Sequence, residues 1–200
     1  MDLLLLALAL AGVYFLQRRR RKNSIWFEGA ILRPEDLDAH ARELGRCHET
    51  KHNRFGRRVL QGRLQENFRF ITKVYTAVAE DLRNKRQMIP AEEWLLDNYY
   101  IIEEQVKEIL ITVKQTNFRD LPVLCYGNLR GNPRIYALVL EVISHSDGSL
   151  TEPALVKFIS SYQEETPLSI GEIWSLSLMV RIALIEKIYR SRVVYGKSVD

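Results

Sequence analysis

A single apolar stripe between Leu60 and Leu82 restricts the fold of this chain more than any other feature of its sequence. Apolar residues recur there every three or four positions, which places them on one face of an α-helix. The stripe consists of Leu60, Leu64, Phe68, Ile71, Tyr75, Val78 and Leu82. Val59, Phe70 and Val74 widen it, which is more typical of a helix inside a bundle than of a coiled-coil seam. We therefore predict a long bundle helix, with a coiled coil as the alternative.

Proline and acidic residues mark further helix starts, because proline fits the first turn and carboxylates favour the positive end of the helix dipole. They predict helices that begin near Pro34, Ala91, Pro133, Glu152 and Ser169. Ser169 and Glu172 have the spacing of a capping box. Turn-forming residues separate the helices at 53–56, 117–132 and 146–148, and no window shows sustained β alternation. The predicted fold is all-α, with one N-terminal transmembrane anchor before a bundle of about five to six helices.

The predicted anchor is an apolar run from Leu3 to Leu16, fourteen residues without a charge. As a helix it would be about 21 Å long, against roughly 30 Å of bilayer hydrocarbon, so it is a marginal span. Five cations follow it directly: Arg18, Arg19, Arg20, Arg21 and Lys22. A cleaved signal peptide, the alternative, carries its positive charges before the apolar run. We therefore expect an uncleaved anchor in contact with the lipid bilayer.

The five cations also predict the orientation of the chain, because basic residues flanking a span stay in the cytoplasm. The N-terminus would face out of the inner membrane, with the helical part in the cytoplasm and Trp26 at the interface. We expect three parts: an anchor with its basic cytoplasmic flank at 1–22, a juxtamembrane segment with a short helix at 23–56, and an all-helical domain at 57–200.

Charge and cysteine content exclude two classes of protein. The net charge of +4 comes from the basic run, since without its five cations 24 basic residues face 25 acidic ones. A near-neutral body does not indicate a nucleic-acid partner. Cys47 and Cys125 are too few for a disulfide framework in a chain of 200 residues, and they fit reduced thiols in a cytoplasmic domain.

One motif resembles a catalytic zinc site. The segment from His48 to His52 reads H-E-x-x-H, which in zinc proteases places both histidines on one helical face. Lys51 would put a cation beside the metal, and Asn53 and Gly56 indicate that the helix is ending. We therefore expect no catalytic metal at this motif, and we identify no metal ligands or cofactor site in the chain.

Other candidate motifs have structural interpretations. Asp36 and Asp38 match the D-x-D of glycosyltransferases, but they follow Pro34 at a helix start, where acids favour the dipole. The segment 127–134, GNLRGNPR, reads as a tight turn into a helix, with a phosphate cradle as the alternative. Several carboxylates lie on aromatic-rich helices, where ion pairs with Arg134, Arg181 or His145 are the alternative to glycoside chemistry. They are Asp97, Glu103, Glu104, Glu141 and Glu186.

Four segments resemble the N-terminal region of the bacterial cyclic β-1,2-glucan synthases, which are large, membrane-bound, multidomain glycosyltransferases. They read WLLDNYYIIEEQ from Trp94, GNPRIYAL from Gly131, SYQEETPLSIGEIW from Ser161 and RIALIEKI from Arg181. The resemblance extends from about Leu37 to Ile188. It implies a parent that uses UDP-glucose to build β-1,2-linked glucan in the inner membrane.

The resemblance also implies that the catalytic modules lie outside this chain, because the residues here form no identifiable reaction centre. The chain would then be a non-catalytic helical segment, whose partners are the remaining synthase modules and, more weakly, glucan. The alternative is a stand-alone, membrane-tethered scaffold that binds a partner protein. The aromatic residues expected in the structural core are Trp94, Tyr99, Tyr136 and Trp174.

Overall fold

The computed structural model describes residues 32–52, 56–116, 118, 121–146 and 150–191. Within them the chain is mostly helical, as predicted, with seven helices and two short strands. In chain order the elements are α1 (Pro34–Cys47), β1 (Thr50–His52), α2 (Gly56–Arg83), α3 (Pro90–Gln115), β2 (Pro122–Leu124), α4 (Arg134–His145), α5 (Glu152–Gln163), α6 (Ile170–Trp174) and α7 (Leu176–Arg190).

Helix α4 lies at the centre of the fold. Its sequence, RIYALVLEVISH, is apolar on nearly every side, and every residue from Arg134 to Ile143 is buried. A helix that is hydrophobic all round needs neighbours on all sides. Helix α4 packs against α5 and α7, and α1 packs in turn on α5. Because α1 contributes Leu37, Ala41 and Leu44 to the core, the described part of segment 23–56 joins the same hydrophobic interior.

The apolar stripe on α2 faces the inside of the bundle. Leu60, Leu64, Ile71 and Val78 are buried, and α2 packs on both α3 and α7. The predicted bundle interpretation therefore holds for this helix. The stripe ends before Leu82, which is half exposed one residue from the end of α2.

The sequence analysis missed a small antiparallel sheet. Strand β1 pairs with β2, with Thr50 opposite Leu124 and His52 opposite Pro122. Each strand has three residues, too few to show an alternating pattern, and both lie where turn residues interrupt the helices. A Cβ at Gly56 would lie 2.8 Å from Cγ1 of Val123, so glycine lets α2 begin directly against β2.

The final predicted helix is divided into α6 and α7 at Ser175. The Ser175 hydroxyl donates to the carbonyl of Glu172 at 2.8 Å, a local bond that competes with the helical ladder. The predicted capping box is confirmed at the start of α6. The amide of Ser169 donates to Glu172 Oε2 at 2.9 Å, and the amide of Glu172 donates to Ser169 Oγ at 3.3 Å.

None of the described helices combines the length and the apolar character that a crossing of the bilayer requires. The predicted anchor at 1–22 lies outside the described residues, as does the whole set of predicted interface residues. That set is Arg18, Arg19, Arg20, Arg21, Lys22 and Trp26.

Candidate functional site

Four glutamates are fully or almost fully buried among the described residues, and their partners decide what each can do. They are Glu92, Glu141, Glu172 and Glu186. An ionised carboxylate away from water costs several kcal/mol unless it is paired and hydrogen-bonded. Three of these glutamates are held by arginine, whereas Glu141 is held by two histidines.

Glu172 connects α6 to the start of α4. Arg134 Nε donates to Glu172 Oε1 at 2.9 Å, and Arg134 Nη2 donates to Glu172 Oε2 at 2.6 Å. The same guanidinium lies 5.8 Å from the centre of the Tyr162 ring and donates to the carbonyl of Pro167. This two-pronged pairing is the strongest form of an arginine–carboxylate contact.

Glu186 is enclosed in the same way between α2 and α7. Arg63 donates to its two carboxylate oxygens at 2.9 and 2.5 Å, and Asn67 and Arg190 add bonds of 2.5 and 2.8 Å. Burial by itself raises the pKa of the Glu186 carboxyl, but the bonds from Arg63 and Asn67 outweigh burial and hold this pKa below its ordinary value. Glu92 accepts a hydrogen bond of 2.5 Å from Arg86 Nη2. It also accepts one from the amide of Ile89, which caps the start of α3.

Glu141 has a different environment. Its Oε2 lies 3.1 Å from Nε2 of His40 and 3.3 Å from Nε2 of His145. Its Oε1 is buried and has no hydrogen-bond partner among the described residues. Burial raises the pKa of the Glu141 carboxyl, but the contacts with His145 and His40 prevail and leave this pKa below its ordinary value. We call His40, Glu141 and His145 the histidine–carboxylate cluster.

The fold assembles this cluster from two helices. Glu141 and His145 are four residues apart on α4 and therefore share one face of that helix. The amide of Leu32, just before α1, donates to the carbonyl of His145, which brings the start of α1 beside the end of α4. His40 then reaches Glu141 from α1, and its ring meets that of His145 edge to face at 5.1 Å. The sequence suggested Glu141 and His145, but no signal pointed to His40.

A further histidine, His48, is partly buried near the cluster. His48 Nδ1 lies 3.2 Å from the Tyr162 hydroxyl, and His48 Nε2 has no partner among the described residues. Burial lowers the pKa of His48 to about 4, with a further contribution from the positive charge of Arg134. His48 therefore stays neutral in the folded protein near pH 7.

The structure does not form a zinc-protease helix at the H-E-x-x-H motif. Helix α1 ends at Cys47, and residues 50–52 are in strand β1, so His48 and His52 share no helical face. His52 is exposed, whereas His48 is partly buried and its Nε2 atom is inaccessible to solvent.

The D-x-D motif and the glycine-containing segment 127–134 also have structural roles. Asp36 pairs with Arg33 at 2.9 Å and Asp38 with Lys157 at 2.7 Å, so the two carboxylates are directed to separate cations. In the segment 127–134, the amides of residues 130, 131 and 132 all donate to backbone carbonyls. Because these amides are already bonded, the turn does not present them to a phosphate.

Comparison with known proteins agrees with the resemblance. No protein-family model matches the chain. Over 140 residues, 69% of its length, the chain is 33% identical to cyclic beta-(1,2)-glucan synthase NdvB of Rhizobium meliloti. The chain is related to this synthase. The match covers 5% of the synthase, so the chain spans only a small fraction of that relative's length.

The four aromatic residues predicted to lie in the core belong to the synthase-like segments, and they differ in burial. Tyr136 is fully buried in α4. Tyr99 is partly buried, stacks on Tyr75 at 3.9 Å and shares a hydrogen bond with Thr72 at 2.9 Å. The core prediction is wrong for Trp94 and Trp174, whose exposed fractions are 46% and 83%.

Local geometry explains both errors. The buried face of α3 includes Leu95, Ile102, Val106 and Ile109, and Trp94 is rotated from Leu95 by about 100° around the helix axis. Trp174 is the last residue of α6, immediately before Ser175 divides the two helices. With its exposed neighbours Ile170 and Ile173 it forms an apolar surface that we call the α6 patch.

Proposed function

We propose that this chain is the non-catalytic, membrane-anchored N-terminal helical segment of a cyclic β-1,2-glucan synthase-like glycosyltransferase. In this proposal the parent transfers glucose from UDP-glucose to make β-1,2-glucan. The supporting observation is the 33% identity to cyclic beta-(1,2)-glucan synthase NdvB over 140 residues. That relative is about twentyfold longer than the matched segment, which leaves ample chain for catalytic modules elsewhere.

The arrangement of the buried carboxylates supports a non-catalytic role. Glycoside chemistry needs two carboxyl groups that face one cleft on either side of the scissile bond. Glu172 and Glu186 are each saturated by arginine, and Glu92 serves as a helix cap bonded to Arg86. A carboxylate held in this way is poorly placed to give up or accept a proton during a reaction.

The sequence supports the membrane part of the proposal. The uncharged run 3–16 and the five cations at 18–22 have the order of an uncleaved inner-membrane anchor, with the N-terminus outside and the helical domain in the cytoplasm. Serine at positions 18–21 should weaken or invert this orientation. Protease protection of a C-terminal tag measures it, and an unchanged orientation would show that the arginines do not determine it.

The α6 patch is the surface that we assign to contact with the remaining synthase modules. Ile170, Ile173 and Trp174 are apolar and exposed next to one another on a five-residue helix, and aromatic residues are enriched at the centres of protein interfaces. The alternative function, a stand-alone scaffold for another protein, would use the same patch, since the stripe on α2 is packed inside the bundle.

A chimera tests the proposed function. Residues 37–188 of this chain would replace the matching segment of the Rhizobium meliloti synthase, and glucan synthesis from labelled UDP-glucose would be measured in membranes. We expect the chimera to make glucan and this chain alone to make none. As a control, an unrelated helical bundle of the same length would replace the same synthase segment, to show whether any spacer there supports glucan synthesis.

Two results would overturn the proposal. Glucan synthesis by this chain alone would show that it is catalytic. A chimera that inserts into the membrane and folds, yet makes no glucan, would show that the segment does not serve in a synthase and would favour the scaffold. Trp174→Ser within the chimera tests the patch, and we expect it to lower glucan synthesis while the chimera stays in the membrane.

A further inference from the structure

We propose that the histidine–carboxylate cluster binds a divalent transition-metal ion of the Zn²⁺ type. His40, Glu141 and His145 would be its protein ligands. Such a site would be independent of a synthase function. None of the three residues is predicted as a metal ligand from the sequence.

The distances in the cluster match those of a metal site. Zinc binds histidine nitrogen and carboxylate oxygen at about 2.0–2.2 Å, so two ligands of a tetrahedral ion lie about 3.3–3.5 Å apart. Glu141 Oε2 lies 3.1 Å from Nε2 of His40 and 3.3 Å from Nε2 of His145. The three ligand atoms all lie within 4.8 Å of one another. The two distances from Glu141 Oε2 are thus close to the spacing of a tetrahedral site, and rotation of the two rings would direct both nitrogens to one ion.

The identity of the partners separates this cluster from the other buried carboxylates. The guanidinium groups that hold Glu172 and Glu186 have only donors and keep their protons, so they cannot coordinate a cation. A neutral imidazole presents a lone pair, and histidine is the commonest protein ligand of transition metals.

The second carboxylate oxygen of Glu141 is also available to a bound ion. Glu141 Oε1 is buried without a hydrogen-bond partner among the described residues, which is a costly state for a carboxylate oxygen. It could take a second bond to the metal or accept a proton from a metal-bound water. The side chain of His40 is 28% exposed, which gives an ion a path from solvent, while Glu141 and His145 lie below it. Two histidines, one carboxylate and an open position suit Zn²⁺ or Fe²⁺.

The supporting helices hold the ligands in fixed positions. Glu141 and His145 lie on the most deeply buried helix of the fold, and their spacing of four residues directs both to one side. His40 belongs to α1, which is tied to the end of α4 by the bond from the Leu32 amide to the His145 carbonyl. A bound ion would therefore join α1 to α4 and should raise the thermal stability of the chain.

Zinc titration of the purified full chain, after removal of metal by a chelator, tests this assignment. Isothermal titration gives affinity and stoichiometry, and Co²⁺ substituted for Zn²⁺ reports coordination through its visible spectrum. His40→Ala is the test variant, because His40 is the most exposed ligand and its loss leaves the pair on α4 in place. His52→Ala is the matched control, since it removes an exposed histidine outside the cluster.

We expect one Zn²⁺ per chain, and affinity at least about tenfold weaker in His40→Ala, since even the loss of an outer-shell partner weakens metal sites about 10–100-fold. His52→Ala should bind as the parent chain does, and at one fixed concentration Zn²⁺ should raise the melting temperature of these two more than that of His40→Ala. Circular dichroism would confirm that each variant is folded. Glu141→Gln should also lose the Co²⁺ spectrum.

Four outcomes would overturn the assignment. The unchanged chain could fail to bind Zn²⁺, which would identify the cluster as a hydrogen-bonded group only. His40→Ala could bind with unchanged affinity, or His52→Ala could abolish binding, and either result would place the ion elsewhere. A Co²⁺ spectrum with a thiolate charge-transfer band would assign the ion to Cys47 or Cys125 and would also contradict the proposal.

Discussion

Glu186 and Glu141 are two fully buried carboxylates on the neighbouring helices α7 and α4, and they differ in what neutralises them. Glu186 accepts hydrogen bonds from Arg63, Arg190 and Asn67. Glu141 instead contacts His40 and His145. The guanidinium groups stay charged at any pH the protein tolerates, so the Glu186 network is permanent. The partners of Glu141 are imidazoles, which can coordinate a metal ion, whereas a guanidinium cannot.

The comparison teaches that burial alone does not define a functional site. Glu141, Glu172 and Glu186 are equally inaccessible to water, but the arginines fix the charge of two of them. Of these three carboxylates, Glu141 is the one whose partners, the two histidines, could also bind a metal ion. The following substitutions test this difference, and the most destabilising one comes first.

Breaking an arginine-held pair should have the largest effect. Arg134→Met leaves Glu172 buried without its cation and should cost about 3–5 kcal/mol in the free energy of unfolding. Urea denaturation measures it. The double variant Arg134→Met with Glu172→Leu should recover most of the loss, because it removes the stranded charge. Arg42→Ala, which breaks the exposed pair with Glu164, should change the free energy of unfolding far less, because solvent screens that pair. Equal losses for Arg134→Met and Arg42→Ala would contradict the argument.

As the pH falls, protonation of His48 should destabilise the protein before protonation of the buried carboxylates does. The pKa of His48 falls from its ordinary 6.5 to about 4 in the folded protein, so below pH 6.5 the unfolded chain binds a proton that the folded chain does not. Stability is therefore lost as the pH falls from about 6.5 to about 4, by up to about 3 kcal/mol. The pKa values of Glu141 and Glu186 are lowered, so their contributions are lost only below pH 4.5.

The variant His48→Gln separates these two windows. It should flatten the dependence of unfolding free energy on pH between about 6.5 and 4.5, while the loss at lower pH remains. Urea denaturation at a series of pH values measures both. His52→Gln is the matched control, because His52 is exposed. The burial argument for His48 fails if His48→Gln and the unchanged chain have the same slope in this range.

Glu141→Gln should cost less than the loss of Arg134. The amide oxygen can still accept a hydrogen bond from either imidazole, so the expected loss is about 1–3 kcal/mol, the cost of a weakened buried polar contact. Glu186→Gln should cost more, because it leaves Arg63 and Arg190 without a carboxylate. Thermal and urea unfolding of both variants give the ranking, and the reverse ranking would contradict the comparison.

Trp94 belongs neither to the histidine–carboxylate cluster nor to the Glu186 network, and its substitution should have the smallest effect. Because its exposed fraction is 46%, Trp94→Ala should cost about 1 kcal/mol, against about 3–5 kcal/mol for Tyr136→Ala in the buried helix. Thermal melts measure both. If Trp94→Ala melts like the parent but loses binding to a β-1,2-glucan oligomer, then Trp94 is a sugar contact. A loss of stability equal to that of Tyr136→Ala would show that Trp94 is buried after all.

The sequence by itself predicted most of the helical framework, because local signals encode it. The spacing from Leu60 to Val78 is visible in the residue order, and so are the prolines at helix starts and the pairing of Ser169 with Glu172. Each signal involves residues within a few turns of one another. The sequence also contained the segments that relate the chain to a glucan synthase.

Tertiary structure alone decided which residues meet across the fold. His40 and Glu141 are 101 positions apart, and no pattern in either helix states that α1 lies beside the end of α4. The pairing of residues 50–52 with 122–124 is equally distant, and three residues are too few to show a period. The spacing of apolar residues predicts that Trp94 and Trp174 are buried, but both are exposed, because the buried face of a helix depends on where neighbouring helices pack. Contacts of long sequence separation follow from the packing of all helices together, so residue order alone does not reveal them.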